Sequence, residues 1–178
     1  MNALARRLRQ TECDGVEMSL AGARIVCDPS GVLYAPDERL LIVSDLHLEK
    51  GAAFARRGMM LPPYDTAATL TLLEAALTRY APQRVISLGD SFHDRTGAAL
   101  MPEASRETLR RLMAGRDWIW ISGNHDPEPP AFVGGETREE IAVGPWTFRH
   151  EPSAAYRAGE VAGHLHPVAR VANGARST

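Results

Sequence analysis

Leu40-Leu41-Ile42-Val43-Ser44-Asp45-Leu46-His47 decides the reading of this chain. The nearly continuous apolar run over Arg39–Ser44 predicts a strand buried on both faces. It runs straight into an acid and an imidazole two residues apart. The same succession recurs twice: Arg84–Leu88 leads into Gly89-Asp90-Ser91-Phe92-His93-Asp94, and Asp117–Ser122 leads into Gly123-Asn124-His125-Asp126. In open α/β sheets, ligands bind outside the carboxyl ends of the strands. Three such ends carrying carboxylates and imidazoles therefore predict a functional edge.

Working outward, the spacing predicts a helix over Tyr64–Tyr80, entered through Pro62-Pro63 and capped by Asp65 or Thr66. Leu70, Leu73, Ala76 and Leu77 form its apolar stripe. A second helix is expected over Pro102–Ala114. Ahead of the decisive strand, Val16–Leu20, Ala23–Cys27 and Val32–Tyr34 read as an antiparallel meander. Beyond Asp126 the pattern changes to the strand candidates Glu139–Val143, Trp146–Arg149, Glu160–Ala162 and Val168–Val171, with no strong helix between them. The expectation is α/β layers with a sheet that becomes mixed towards the end. With 178 residues, no repeat and no linker, positions 1–178 read as a single domain.

Composition narrows the class. Apolar residues at 44% with 24% charged describe a globular chain, and no apolar run is long enough to span a bilayer. Arg6, Arg7 and Arg9 precede no apolar stretch, so the start does not read as a secretory signal. Cys13 and Cys27 form no CxxC motif or dense framework; free thiols in a reducing cytoplasm are expected. The net charge of −2 makes no global case for nucleic acid, which needs only a local basic stripe. Lys50 is the only lysine among the 20 basic residues, and this arginine habit is read as compositional.

All six histidines fall inside the pattern: His47, His93, His125, His150, and the pair in Gly163-His164-Leu165-His166. Neutral imidazoles and carboxylates are the groups that bind divalent cations through nitrogen and oxygen. Asp90 is the natural carboxylate to serve two cations. Asp45, His47 and one of His164 or His166 would complete one site, with Asp45 and His47 sharing a face of an extended strand end. Asn124, His150 and the other histidine would complete the second. Two such metals, about 3.5–4 Å apart, clamp a phosphoryl group. Mn²⁺, Fe or Zn²⁺ suits the donors and Ca²⁺ does not. Gly89, Gly123 and Gly163 are expected where backbone approaches the metals closely. His125 would contact a phosphate oxygen or protonate the leaving alkoxide, with Asp126 holding its tautomer. His93 and Asp94 would orient the ligands. Each piece alone is a short pattern; five in one order, absorbing every histidine, are not accounted for structurally.

The ordered motifs Asp-x-His, Gly-Asp, Gly-Asn-His-Asp, His and Gly-His-x-His resemble those of the calcineurin-like metallophosphoesterases. The longer stretches Ser44–Gly51, Leu61–Thr66, Gly89–Asp94 and Gly163–Pro167 resemble bacterial ligase-associated DNA-damage-response endonucleases, and the likeness runs from about Leu40 to Val168. The resemblance implies a four-layer α/β/β/α sandwich with two mixed sheets. It assigns Asp45, His47, Asp90 and His166 to one metal, and Asp90, Asn124, His150 and His164 to the other, with His125 at the leaving group. It further implies manganese-dependent cleavage of DNA, preferentially single-stranded, alongside an ATP-dependent ligase and a helicase in repair. Two features depart from it. His93 stands where many superfamily members have Asp, though the endonuclease group shares it. The chain also stops at Thr178, where relatives continue for several more strands: either it is a shortened form or its second sheet is smaller. An edge left there would be covered by a partner subunit, as in a homodimer, or would destabilise the domain.

The leading expectation is thus a Mn²⁺-dependent DNA phosphodiesterase, with Arg56, Arg57 and Arg95 as candidate backbone contacts and Phe54 and Phe92 as candidate base-stacking rings. A phosphodiesterase for small nucleotide-linked molecules would use the same metals. A non-catalytic scaffold fits less well, because it would have lost a ligand or the acid.

Overall fold

The computed structural model describes residues 15–56, 58–59, 65–93, 99, 101–126, 132–167, 172–173 and 176–177. Strands β1 (Val16–Leu20), β2 (Ala23–Cys27) and β3 (Leu33–Ala35) form the expected meander, antiparallel through to β4 (Leu40–Val43). From β4 the sheet turns parallel through β5 (Arg84–Ser87), β6 (Asp117–Ile121) and β7 (Glu136–Arg138). Helix α1 (Lys50–Arg56) and helix α2 (Asp65–Tyr80) lie in the first crossover, and α3 (Glu103–Met113) in the second. Among the described residues the main sheet runs in simple sequence order, β1 to β7. A smaller mixed sheet follows, β10-β9-β8, built from β8 (Glu140–Val143), β9 (Trp146–Arg149) and β10 (Glu160–Ala162). A short hairpin pairs β11 (Ala172–Asn173) with β12 (Arg176–Ser177).

Alternation along the central strands makes two cores. Leu41, Val43, Val85, Trp118 and Trp120 face the helices, meeting Leu70, Leu73 and Leu77 of α2 and Leu109 and Leu112 of α3. Leu40, Ile42, Ile86, Ile119 and Ile121 face the second sheet, meeting Val143, Trp146, Phe148 and Val161. Each fully buried side chain of this size is worth about 1.5–3 kcal/mol, which is why all three central strands read as unbroken apolar runs. The indole N–H of Trp146 donates to the carbonyl of Leu20 (3.1 Å), pinning the small sheet to β1.

Helix α2 buries the predicted stripe, Leu70, Leu73, Ala76 and Leu77, together with Thr66. Helix α1, strand β7 and the β11–β12 hairpin carried no sequence signal. Helix α1 begins inside the Leu48-Glu49-Lys50-Gly51 stretch, and β7 is entirely exposed, held by backbone pairing with Ile119–Ile121. The strand expected at Val168–Val171 lies outside the described residues. No helix among the described residues is long and apolar enough to cross a membrane, and Cys27 is a free thiol.

Candidate metal centre

The parallel registers Leu40↔Arg84 and Arg84↔Asp117 bring the exits of β4, β5 and β6 to one edge. The first two exit loops then zip together. Asp45 N–H donates to Gly89 O, His47 N–H to Asp90 O, Leu48 N–H to Ser91 O and His93 N–H to Leu48 O. On the facing sheet β9 and β10 are also parallel. His150 therefore leaves its strand beside Gly163, whose N–H donates to His150 O (3.1 Å). All five motifs meet between the two sheets.

The loops are not extended strand ends. Asp45 and His47 lie beyond β4 with φ of 51° and 45°, and Asp90, His164 and His166 also take positive φ (48°, 67° and 42°). The left-handed region is costly for residues with a Cβ, and such strain clusters at functional sites. Left-handed backbone at alternate residues is shared by both loops, at Asp45 and His47 in one and at His164 and His166 in the other. Gly89 combines φ of 85° with contact against the His150 ring, and a Cβ at Gly123 would strike the backbone and carboxylate of Asp90.

Two groups of candidate ligands result. Asp45, His47 and His166 place one ligand atom each within 4.8 Å of one another; so do Asp90, His150 and His164. In the first group His166 Nε2 is 3.5 Å from Asp45 Oδ1, and the His47 and His166 rings stack at 5.4 Å. In the second, His150 Nε2 lies 2.8 Å from Asn124 Oδ1, 3.2 Å from His164 Nδ1 and 3.4 Å from Asp90 Oδ2. Leu88 O, which only accepts, sits 2.7 Å from His150 Nδ1 and so fixes the proton there. The lone pair of Nε2 then points at the amide and carboxylate oxygens. With His164 Nδ1 unprotonated, acceptors alone converge there: it lies 3.1 Å from the same Asn124 oxygen, and its role depends on the tautomer. Asp45 Oδ1 and His47 Nδ1 are likewise buried with no hydrogen-bond partner among the described residues. A divalent cation satisfies both arrangements, and the nitrogen and oxygen donors fit one.

Charge and burial act on the same groups. Burial holds the His47 imidazole below its ordinary range, while the carboxylates of Asp90 and Asp45 pull it back up. His47 is accordingly held in the neutral, metal-binding form at neutral pH. Asp126 is pushed up to about 6 by burial and by the Asp90 charge, against the backbone N–H groups that it accepts. One of these is Phe92 N–H at 2.9 Å. Asp126 thus braces the loop that carries Asp90.

His125 is nearly half exposed, with Nε2 3.9 Å from Asp90 Oδ2. Its backbone N–H donates to Asp90 Oδ1 (3.0 Å), and its Nδ1 lies 3.1 Å from the carbonyl of His93. Asp126, expected to hold the His125 tautomer, accepts from Phe92 N–H, and the carbonyl at His125 Nδ1 is that of His93. The His93 ring lies against those of His47, His125 and Phe54, with centroids 5.4–5.8 Å apart. Phe92 is fully buried in the helix-facing core, so it has no face to offer a base. Asp94, Arg57 and Arg95 lie outside the described residues, as does the Arg56 side chain. Sequence reading missed Ser44, whose hydroxyl donates to Asp45 Oδ2. It also missed Glu49, buried beside Thr66, whose hydroxyl accepts the Glu49 N–H (2.8 Å). Both lie within two residues of a motif, the one hint the sequence offered.

Comparison with known proteins places this geometry. The family model described as calcineurin-like phosphoesterase matches residues 38–174. The chain is similar to the crystal structure of the Pseudomonas putida nuclease MPE, at 29% identity with a TM-score of 0.73, over 87% of this chain and 75% of that one. No curated protein matches.

Proposed function

The chain belongs to the calcineurin-like phosphoesterase family, and from that premise we propose that it hydrolyses DNA phosphodiester bonds, single strands above all, with two Mn²⁺ ions. Membership makes it a divalent-metal phosphoesterase. The metal identity, the substrate and a place in DNA repair beside a ligase and a helicase are the proposal. The observation that carries it is the gathering of ligand atoms into two groups, Asp45, His47 and His166 in one and His150, His164 and the buried Asp90 in the other. In this reading Asp45, His47, Asp90 and His166 hold one cation, and Asp90, Asn124, His150 and His164 the other. Fe or Zn²⁺ would fit the same donors.

Cations there would neutralise the charge that develops on the phosphoryl oxygens. The protein's own part is positional. His150 is locked by Leu88 O, Asp90 by the His125 N–H, and the Asp90 loop by Asp126. His125, with Nδ1–H given to His93 O, can present a proton on Nε2. As the phosphorus–oxygen bond breaks, that proton passes to the departing alkoxide. The similarity to a protein described as a nuclease supports a nucleic acid as substrate.

One observation favours a second reading, a small-molecule phosphodiesterase. The cavity of about 260 Å³ beside Asn124 and His150 is also lined by Glu139, Glu151 and Arg149; Arg149 is paired with Glu140 and Glu160, and the Glu139 and Glu151 carboxylates repel a long polyanion. Cleavage of a labelled single-stranded oligonucleotide is compared with that of bis-p-nitrophenyl phosphate, with Mn²⁺, with chelator, and with Asp90→Ala. Metal-dependent scission lost in the variant is expected. Turnover of the small ester with the oligonucleotide intact would replace the nuclease reading with the second.

A further inference from the structure

Helix α1 buries Gly51 and Ala53 and carries a single aromatic residue, Phe54, which among the described residues packs in neither core. Phe54 is partly exposed and sets its ring against the His93 imidazole, with centroids 5.4 Å apart and planes tilted by 37°. The His93 ring lies in turn beside that of His125, at 5.8 Å with the planes 25° apart, and edge-on to His47 at 5.7 Å. Two ring steps therefore lead from His125, at the departing oxygen, to Phe54. His93 is partly exposed and His125 exposed, so each residue of the row keeps accessible surface. Just beyond α1 the Met59 N–H donates to Phe54 O (3.0 Å), and Met59 is itself 49% exposed.

An aromatic side chain gains most for the fold by burial in a core, and Phe54 forgoes that. Its place beside a candidate phosphoryl site has a physical complement in the flat π face of a nucleobase, which stacks on an aromatic ring whatever the base. In a nucleic acid strand, base and phosphate are joined through one sugar. A strand with its phosphate at the candidate metal centre therefore brings a neighbouring base within reach of rings one and two steps from His125. A base inside a duplex is already paired and stacked, and extruding it costs energy, whereas a single strand offers it freely.

We propose that Phe54 and His93 form a base-stacking subsite beside His125, which receives a nucleobase of the bound single strand. The inference rests on the nuclease reading above and gives the preference for single strands a physical cause.

Two substrates of equal backbone charge test it: a thymidylate oligonucleotide, and a chain of the same length with an abasic tetrahydrofuran at every position. With Mn²⁺, wild type is expected to cleave the thymidylate with kcat/KM at least tenfold above the abasic chain. Phe54→Leu, which keeps apolar bulk without the π face, should narrow that ratio to within twofold. Phe54→Tyr, which keeps the face, should retain it. Because the ratio compares two substrates on one enzyme, a partial loss of metal or of folded protein in a variant cancels. Equal cleavage of both chains by wild type overturns the inference and leaves the nuclease reading standing. A tenfold ratio that persists in Phe54→Leu, or is lost in Phe54→Tyr, overturns it too. If neither chain is cut while bis-p-nitrophenyl phosphate is turned over, the nuclease reading has failed and this inference with it.

Discussion

His125 and Gly123 show how far one residue can be tested apart from the fold. His125 touches Asp90 through its backbone N–H, and its ring stands on the His93 carbonyl, so truncating the ring leaves every candidate ligand in place. His125→Ala is expected to lower kcat by about 10²–10⁴, the usual contribution of a positioned acid. Metal content, measured on the purified variant, should be unchanged; a variant retaining full turnover would remove the acid assignment. Gly123→Ala acts in the other sense. Its added Cβ would meet the backbone and carboxylate of Asp90 and the carboxylate of Asp126, none of which can retreat. A loss of about 1–3 kcal/mol from overpacking is expected in urea unfolding, together with weaker metal binding.

At the scale of elements, the buried carboxylate of Asp28 joins the turn after β2 to the end of α2. It accepts from Arg79 and Tyr80, each at 2.6 Å, and from the Ser30 N–H and hydroxyl. Burial pushes this carboxyl up, but the bonds from Ser30, Tyr80 and Arg79 outweigh it and hold it well below the usual range. A depressed carboxyl contributes stability that is present above its unfolded value, about 3.9, and lost as pH falls through its folded one. Wild type should therefore lose stability steadily below about pH 4. Asp28→Asn, short of the charge, should be about 1–3 kcal/mol less stable at pH 7 and show a flatter acid limb. Denaturant midpoints at pH 7 and pH 3 check both; equal acid limbs would refute the assignment. Helix α1 and strand β7 belong to the same scale and were illegible in the sequence. A seven-residue helix has no stripe to read, and an exposed three-residue strand is held by its neighbour's backbone.

For the whole molecule, the candidate metal centre is a clasp between two sheets, with Asp45, His47 and Asp90 on one side and His150, His164 and His166 on the other. A cation that binds only this folded arrangement adds stability by mass action, about 2.7 kcal/mol at a hundredfold excess over Kd. Chelation should lower Tm by several degrees, since 1 kcal/mol shifts Tm by about 2–4 °C at this size. The effect should shrink as pH falls into the imidazole range, because protons compete for the ligand nitrogens. Without metal the sign remains the same for His47. Burial depresses its pKa, so between that value and about 6.5 the unfolded chain binds more protons and stability rises with pH. Differential scanning calorimetry with and without Mn²⁺ at pH 5.5 and 7.5 measures this; an unchanged Tm on chelation would show that the clasp does not contribute.

Sequence alone determined the three central strands, because burial on both faces demands unbroken apolar runs, and it determined that carboxylates and imidazoles stand at their exits. It also marked α2, whose apolar residues recur at the helical period. Which histidine joins which group was open from spacing, since His164 and His166 are equivalent in an alternating segment. Only the tertiary structure decided it. From left-handed backbone at both residues, His166 gathers with Asp45 and His47, and His164 with Asp90 and His150. The His93 carbonyl as the support of His125, the burial of Phe92 and the contact of Phe54 with the His93 ring were equally hidden. Each depends on where a neighbour from a distant part of the chain comes to rest, and periodicity carries no record of that.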